Sequence, residues 1–147
     1  MKFLNTMLVG SLVILSGSAL AESYEVQMLN TGADGVMIFE PAVLSINPGD
    51  SVTFKATNPG HNPESMQGMT PEGAEGWKGG MGQDVTVTFD QDGVYVYQRT
   101  PHLMMAMVGV IKVGSGPNLE AIKTAATDKK AAFMMAQGCL DGYLNQL

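Results

Sequence analysis

Val85-Thr86-Val87-Thr88-Phe89, then Asp90-Gln91-Asp92-Gly93, then Val94-Tyr95-Val96-Tyr97 is the stretch whose reading decides the fold. Its apolar, β-branched and aromatic residues alternate with period two, as in strands with one buried face. The residues between the two runs are turn formers. The same texture continues outward in both directions. Tyr24-Glu25-Val26-Gln27-Met28 and Val43-Leu44-Ser45-Ile46 alternate, and Ser51–Ala56 places Val52, Phe54 and Ala56 on one face. Val108–Val113 completes the set, and Asn47-Pro48-Gly49-Asp50 and Asn58-Pro59-Gly60 supply further turns. Short strands separated by frequent turns predict a mainly β fold, a sandwich or barrel.

Two regions depart from this rhythm. Residues 62–83 hold six glycines and two prolines without a strand pattern, which predicts a long loop lying over one end of the sandwich. Beyond Gly114 the texture turns helical. Pro117–Ile122 opens a short helix, and Thr127 or Asp128 caps a second over Lys129–Leu147. Phe133, Ala136, Leu140, Tyr143, Leu144 and Leu147 fall near one face of that second helix. Both helices are expected to pack on the outside of the sandwich. No internal repeat is visible.

At the other end, Lys2, an apolar run from Met7 to Leu15 and the small residues closing at Ala19-Leu20-Ala21 read as a secretory leader over 1–21. The apolar run is too short to span a bilayer, and no later stretch reads as a membrane span. The expected mature domain is therefore 22–147, with its helices over 117–147, and its destination in a diderm bacterium is the periplasm. Without Lys2, seven basic side chains face fourteen acidic ones. That balance argues against nucleic acid and anionic lipid as partners, since both require a basic face. A single cysteine, Cys139, precludes an internal disulfide. No nucleophile–base set is apparent, so an enzyme is not expected.

The chemistry gathers on few residues. His61 lies in Gly60-His61-Asn62, just after a strand, and His102 and Met107 lie in the loop before the last strand. A copper ion that shuttles one electron is held by two imidazoles, a thiolate and a weak thioether. Three of those four ligand types occur here in suitable places, so one copper ion is the expected cofactor. Cys139, some forty residues further on, reads as a small helix residue rather than the missing thiolate.

The chain resembles the pseudoazurins, small periplasmic blue-copper proteins of the cupredoxin fold. The resemblance rests on Val26-Gln27-Met28-Leu29-Asn30, Phe39-Glu40-Pro41-Ala42, Asn47-Pro48-Gly49-Asp50, Gly60-His61-Asn62, Pro71-Glu72-Gly73-Ala74-Glu75, Thr100-Pro101-His102 and Met105-Ala106-Met107. It extends from about Ser23 through the helices. It implies a Greek-key β-sandwich with two C-terminal helices, a monomer, and single-electron transfer to redox partners. Carried over residue by residue, the family's ligands fall on His61, Arg99, His102 and Met107. The expected cysteine is thus Arg99, with the spacing around it intact.

Guanidinium cannot ligate copper and stays charged, and a buried one needs a partner, for which Glu40 and Glu64 are candidates. A site of His61, His102 and Met107 alone would not be blue and would suit Cu(I) better than Cu(II). Met66, Met69, Met81, Met104, Met105 and Met107 together suggest a methionine-rich end on which a periplasmic redox or copper-handling protein could dock. The favoured reading of the same residues is an apolar docking patch around the exposed histidine, or core. Trp77 reads as loop packing. Lysines near that end are few, Lys55 and Lys78 at most, so the partner would be basic or apolar. Three function classes follow: an electron carrier, a Cu(I)-binding or delivery protein using His and Met, and a metal-free module in which Arg99 pairs internally or reads an anionic group.

Overall fold

The computed structural model describes residues 20–33, 35–99, 107–129 and 139–147. In β1 (Ser23–Gly32), Val26 and Met28 point inward at alternate positions. β1 pairs antiparallel with β2 (Gly35–Glu40) and parallel with β4 (Ser51–Lys55), whose Val52 and Phe54 face the same side. β6 (Val85–Thr88) joins antiparallel to β4, giving one four-stranded sheet in the order β2-β1-β4-β6.

The second sheet has the order β3-β8-β7-β5, from β3 (Val43–Ile46), β8 (Val108–Val113), β7 (Gly93–Gln98) and β5 (Glu64–Ser65). The sheets enclose a core of Val26, Met28, Phe39, Val52, Phe54, Phe89, Tyr95, Tyr97, Met107, Ile111 and their neighbours. The other face of the second sheet is also covered. Val94, Val96, Val108 and Val110 pack there against Ile122 and Ala126 of α1 (Leu119–Lys129) and Leu140 and Leu144 of α2 (Cys139–Leu144). A strand buried on both faces has no polar side to alternate with, and β7 accordingly runs buried from Gly93 to Tyr97. The mainly β sandwich with C-terminal helices is thus the observed architecture.

Several local expectations are corrected. β2 and β5 carry no strand signal in the sequence. The run from Val36 to Phe39 is continuously apolar, and Met37 breaks it with a positive φ of 51°, so no period-two signal marks β2. The 62–83 segment does more than cover an end: β5 pairs with β7, Met66 and Met69 enter the helix-side core, and Trp77 packs against the core between the sheets.

The first helix begins at Leu119 and continues through Thr127 and Asp128, expected to cap the second. Thr127 Oγ1 donates instead to the Lys123 carbonyl one turn back. Phe133 and Ala136 lie outside the described residues.

Asn118, just ahead of α1, ties the helical layer to the sheet. Its Oδ1 accepts from Val94 N at 2.6 Å and its Nδ2 donates to Val94 O at 3.1 Å, imitating a strand partner. Asn118→Ala leaves both groups of a buried strand residue unpaired. It is expected to cost about 1–3 kcal/mol, read as a lower urea midpoint at unchanged slope.

Candidate metal centre

The turn Asn58-Pro59-Gly60, with Gly60 at φ 85°, delivers His61 into the end of the sandwich, where it is 1 % exposed. Its main chain is held as well, since its carbonyl accepts from Gly82 N at 2.8 Å. The imidazole Nε2 lies 2.6 Å from Asn30 Oδ1 near the end of β1. An amide oxygen only accepts, so Nε2 carries the proton and donates. The proton-free Nδ1 is buried and has no hydrogen-bond partner. A buried acceptor left empty costs free energy. An imidazole held in one tautomer by a second acceptor, with its other nitrogen free, is the usual arrangement of a metal-binding histidine.

Arg99 and Met107 are brought together by the hairpin of β7 and β8. Beyond the last paired residues, Gln98 and Val108, Arg99 N donates to Met107 O at 3.1 Å. Met107 is buried in the core between the sheets. Arg99 is half-buried, with a buried Nε that has no hydrogen-bond partner. His61 and Arg99 are near enough to feel each other. Burial holds the His61 pKa below the ordinary imidazole value, and the Arg99 charge lowers it further. Burial likewise lowers the pKa of Arg99. His102 lies outside the described residues.

The expected ion pair of Arg99 is not found. Glu40 Oε1 accepts from Ala33 N, Glu64 pairs with Lys78 at 3.9 Å, and among the described residues no carboxylate lies within ion-pair distance of Arg99. The methionine-rich end also thins out. Met66 and Met69 are core residues beneath the helices, which leaves Met81, half exposed beside Gly82, as the exposed methionine described near His61. Met104 and Met105 lie outside the described residues. Lys55 is taken up by Glu25 and Asp84. Trp77 is core packing, in ring contact with Phe54, Phe89, Tyr95 and Tyr97.

Asn30 is the functional residue that sequence reading missed as such. It stands inside a quoted motif, but nothing local says that an asparagine thirty-one positions away orients His61. By donor type, the free His61 Nδ1 and the Met107 thioether suit a copper ion. The described donors do not fit a thiolate-bound ion, because Arg99 offers only N–H donors.

The His61 shift has a consequence for the metal-free protein. The fold disfavours imidazolium, so the unfolded chain binds more protons below its own pKa of about 6.5. The stabilisation is complete above that value and is lost as pH falls from there through the folded pKa. Acidification from pH 7.5 should therefore destabilise the natural chain more than His61→Gln in urea unfolding, and the loss should be smaller in Arg99→Gln, whose folded His61 pKa lies closer to the unfolded value.

Residues 26–114 match the plastocyanin/azurin family of copper-binding proteins. A pseudoazurin of Methylorubrum extorquens is 45 % identical over 112 residues, covering 76 % of each chain. One of Paracoccus pantotrophus is 42 % identical over 122 residues, covering 82 % of this chain and 84 % of that one. The crystal structure of native pseudoazurin from Hyphomicrobium denitrificans superposes with a TM-score of 0.77 at 33 % identity, covering 85 % of this chain and 98 % of that one.

Proposed function

Since the chain belongs to the pseudoazurins, within the plastocyanin/azurin family of copper-binding proteins, we propose that it holds one copper ion without a thiolate, through His61, His102 and Met107, and favours Cu(I). The observation that carries this reading is the buried, unpartnered Nδ1 of His61, with its tautomer set by Asn30. Imidazole with thioether is a soft donor set, suited to the monovalent ion. The Arg99 charge acts in the same direction, because it repels a divalent ion about twice as strongly as a monovalent one.

When bound, copper supplies the capacity to give or take one electron. The chain's own part is to present the His61 lone pair, hold the ring and bury Met107 away from water. Arg99 works against the cupric state, so one-electron shuttling of the family kind is disfavoured and retention or delivery of Cu(I) is favoured. The protein is a carrier rather than an enzyme. It works as a monomer in the periplasm after export, and it docks on a redox or copper-handling protein through the Met81 end.

Titration of the chain beginning at Glu22 with Cu(I) against a chromophoric chelator, and separately with Cu(II), tests the reading. The expected result is colourless Cu(I) binding that weakens at least about 10-fold in His61→Ala and in His102→Ala. Failure to bind either ion overturns it. One observation favours a second reading, a metal-free module that reads an anionic group: the Arg99 Nε is buried without a partner. Absence of copper binding in the natural chain, together with its appearance in Arg99→Cys, would select that reading.

A further inference from the structure

Asp50 is 2 % exposed in the turn that leads into β4. Its Oδ2 accepts from Asn47 N at 2.9 Å and closes the turn. Its Oδ1 accepts from the main-chain nitrogen of Glu22 at 2.8 Å. No cation lies within ion-pair distance of it among the described residues. A buried carboxylate held only by neutral amides is incompletely compensated.

The main chain at Glu22 is anchored beside Asp50. Ser51 N donates to the Glu22 carbonyl at 3.0 Å, and the parallel β1–β4 ladder begins one residue on, at Ser23 and Ser51. Residues 20–22 are all exposed, and Leu20, Ala21 and Glu22 line one side of an open cleft of about 510 Å³ whose other side is Asn47–Asp50. Glu22 is also the first residue after the small-residue end of the leader.

We propose that hydrolysis of the Ala21–Glu22 peptide bond by a leader peptidase turns the Glu22 nitrogen into an α-ammonium that the buried Asp50 carboxylate clasps, so that removal of the leader completes an internal ion pair. Water adds to the acyl carbon, Ala21 leaves with a carboxylate, and the freed amine takes a proton. The N–H···Oδ1 contact already present becomes a charge-assisted one without any movement of β1. The two remaining ammonium protons face solvent on the exposed side of Glu22. The fold thereby reads whether the chain has been processed, because an uncleaved chain has only a neutral amide to offer Asp50. The inference rests on the leader and is independent of copper.

The groups that face this nitrogen set its pH dependence. They are the Asp50 carboxylate, the Glu22 carboxylate, and the Tyr24 phenol. That phenol donates to Glu22 Oε2, and its pKa is raised by this hydrogen bond, then by burial and by the Glu22 and Asp50 charges. An ammonium with such a partner has its pKa raised above its unfolded value of about 8. Its stabilisation is then complete below that value and is lost as pH rises through the folded pKa.

Three chains decide the matter: one beginning at Glu22, one keeping Ala21 ahead of it, and the Glu22 chain acetylated on its α-amino group. At pH 7 the free Glu22 chain should melt about 3–5 °C above both others. The gap should close at alkaline pH, and Asp50→Asn should erase it. The mass of the exported protein should place its first residue at Glu22. The inference fails if the three chains melt together at pH 7, if the Glu22 α-amino group titrates at its ordinary value, or if the exported chain begins elsewhere. Each readout is made without metal, so copper binding can fail with the clasp intact, and the clasp can fail with copper bound.

Discussion

Arg99→Cys is expected to turn a colourless copper protein intensely blue and to tighten cupric binding by at least about 100-fold. Two changes combine. The substitution removes a positive charge close enough to His61 to lower its pKa. It also places a thiolate on the strand end whose main chain is already bonded to Met107. The scaffold needs no rebuilding, because β7 and β8 remain in register up to Gln98 and Val108. Visible absorption on adding Cu(II), with chelator competition for the affinity, reads both effects. Arg99→Gln separates them: it removes the charge, supplies no thiolate, and should strengthen Cu(II) binding without colour. A colourless Arg99→Cys that still binds copper would show that position 99 does not face the ion held by His61.

Asn30→Ala is expected to weaken copper binding about 10- to 100-fold while leaving the fold intact. Asn30 Oδ1 is the acceptor that keeps the proton on His61 Nε2. Without it the proton can move to Nδ1, the ring loses its orientation, and both effects compete with the metal. Asn30→Asp keeps an acceptor and adds a negative charge, so it should bind at least as tightly as the natural chain. Chelator competition for the three proteins, with melting temperatures as a control for folding, checks the order. Equal affinity in Asn30→Ala would mean that the burial of His61 alone orients the ring.

Much of the fold was legible in local patterns, for particular reasons. Val52 and Phe54 alternate with polar residues because β4 has one buried face. The turn at Asn47–Asp50 carries its own chemistry, and Asp50 Oδ2 bonds Asn47 N within four residues. β2 escaped notice because its run is continuously apolar and is interrupted by the positive φ of Met37. The end of α1 was misplaced because Thr127 and Asp128 look like caps, whereas Thr127 bonds back to Lys123 inside the helix. Met66 and Met69 suggested a metal-binding surface, and packing under the helices took them into the core. A methionine fills either place equally well, and its position along the chain does not say which.

The ligand set divides along the same physical line. That His61, His102 and Met107 are candidate ligands follows from residue types, that Arg99 stands where a thiolate is expected follows from the family resemblance, and that Arg99 cannot be a ligand follows from its chemistry, since a guanidinium has no lone pair to give in any surroundings. Which nitrogen of His61 is free, that Asn30 fixes it, that neither Glu40 nor Glu64 neutralises Arg99, and that Asp50 waits on the nitrogen of Glu22 were decided only in three dimensions. Each of these depends on a contact between residues on different strands or loops. Burial then determines whether a polar atom meets a partner, a metal ion or nothing, and burial belongs to the packed sandwich rather than to any one segment of the chain.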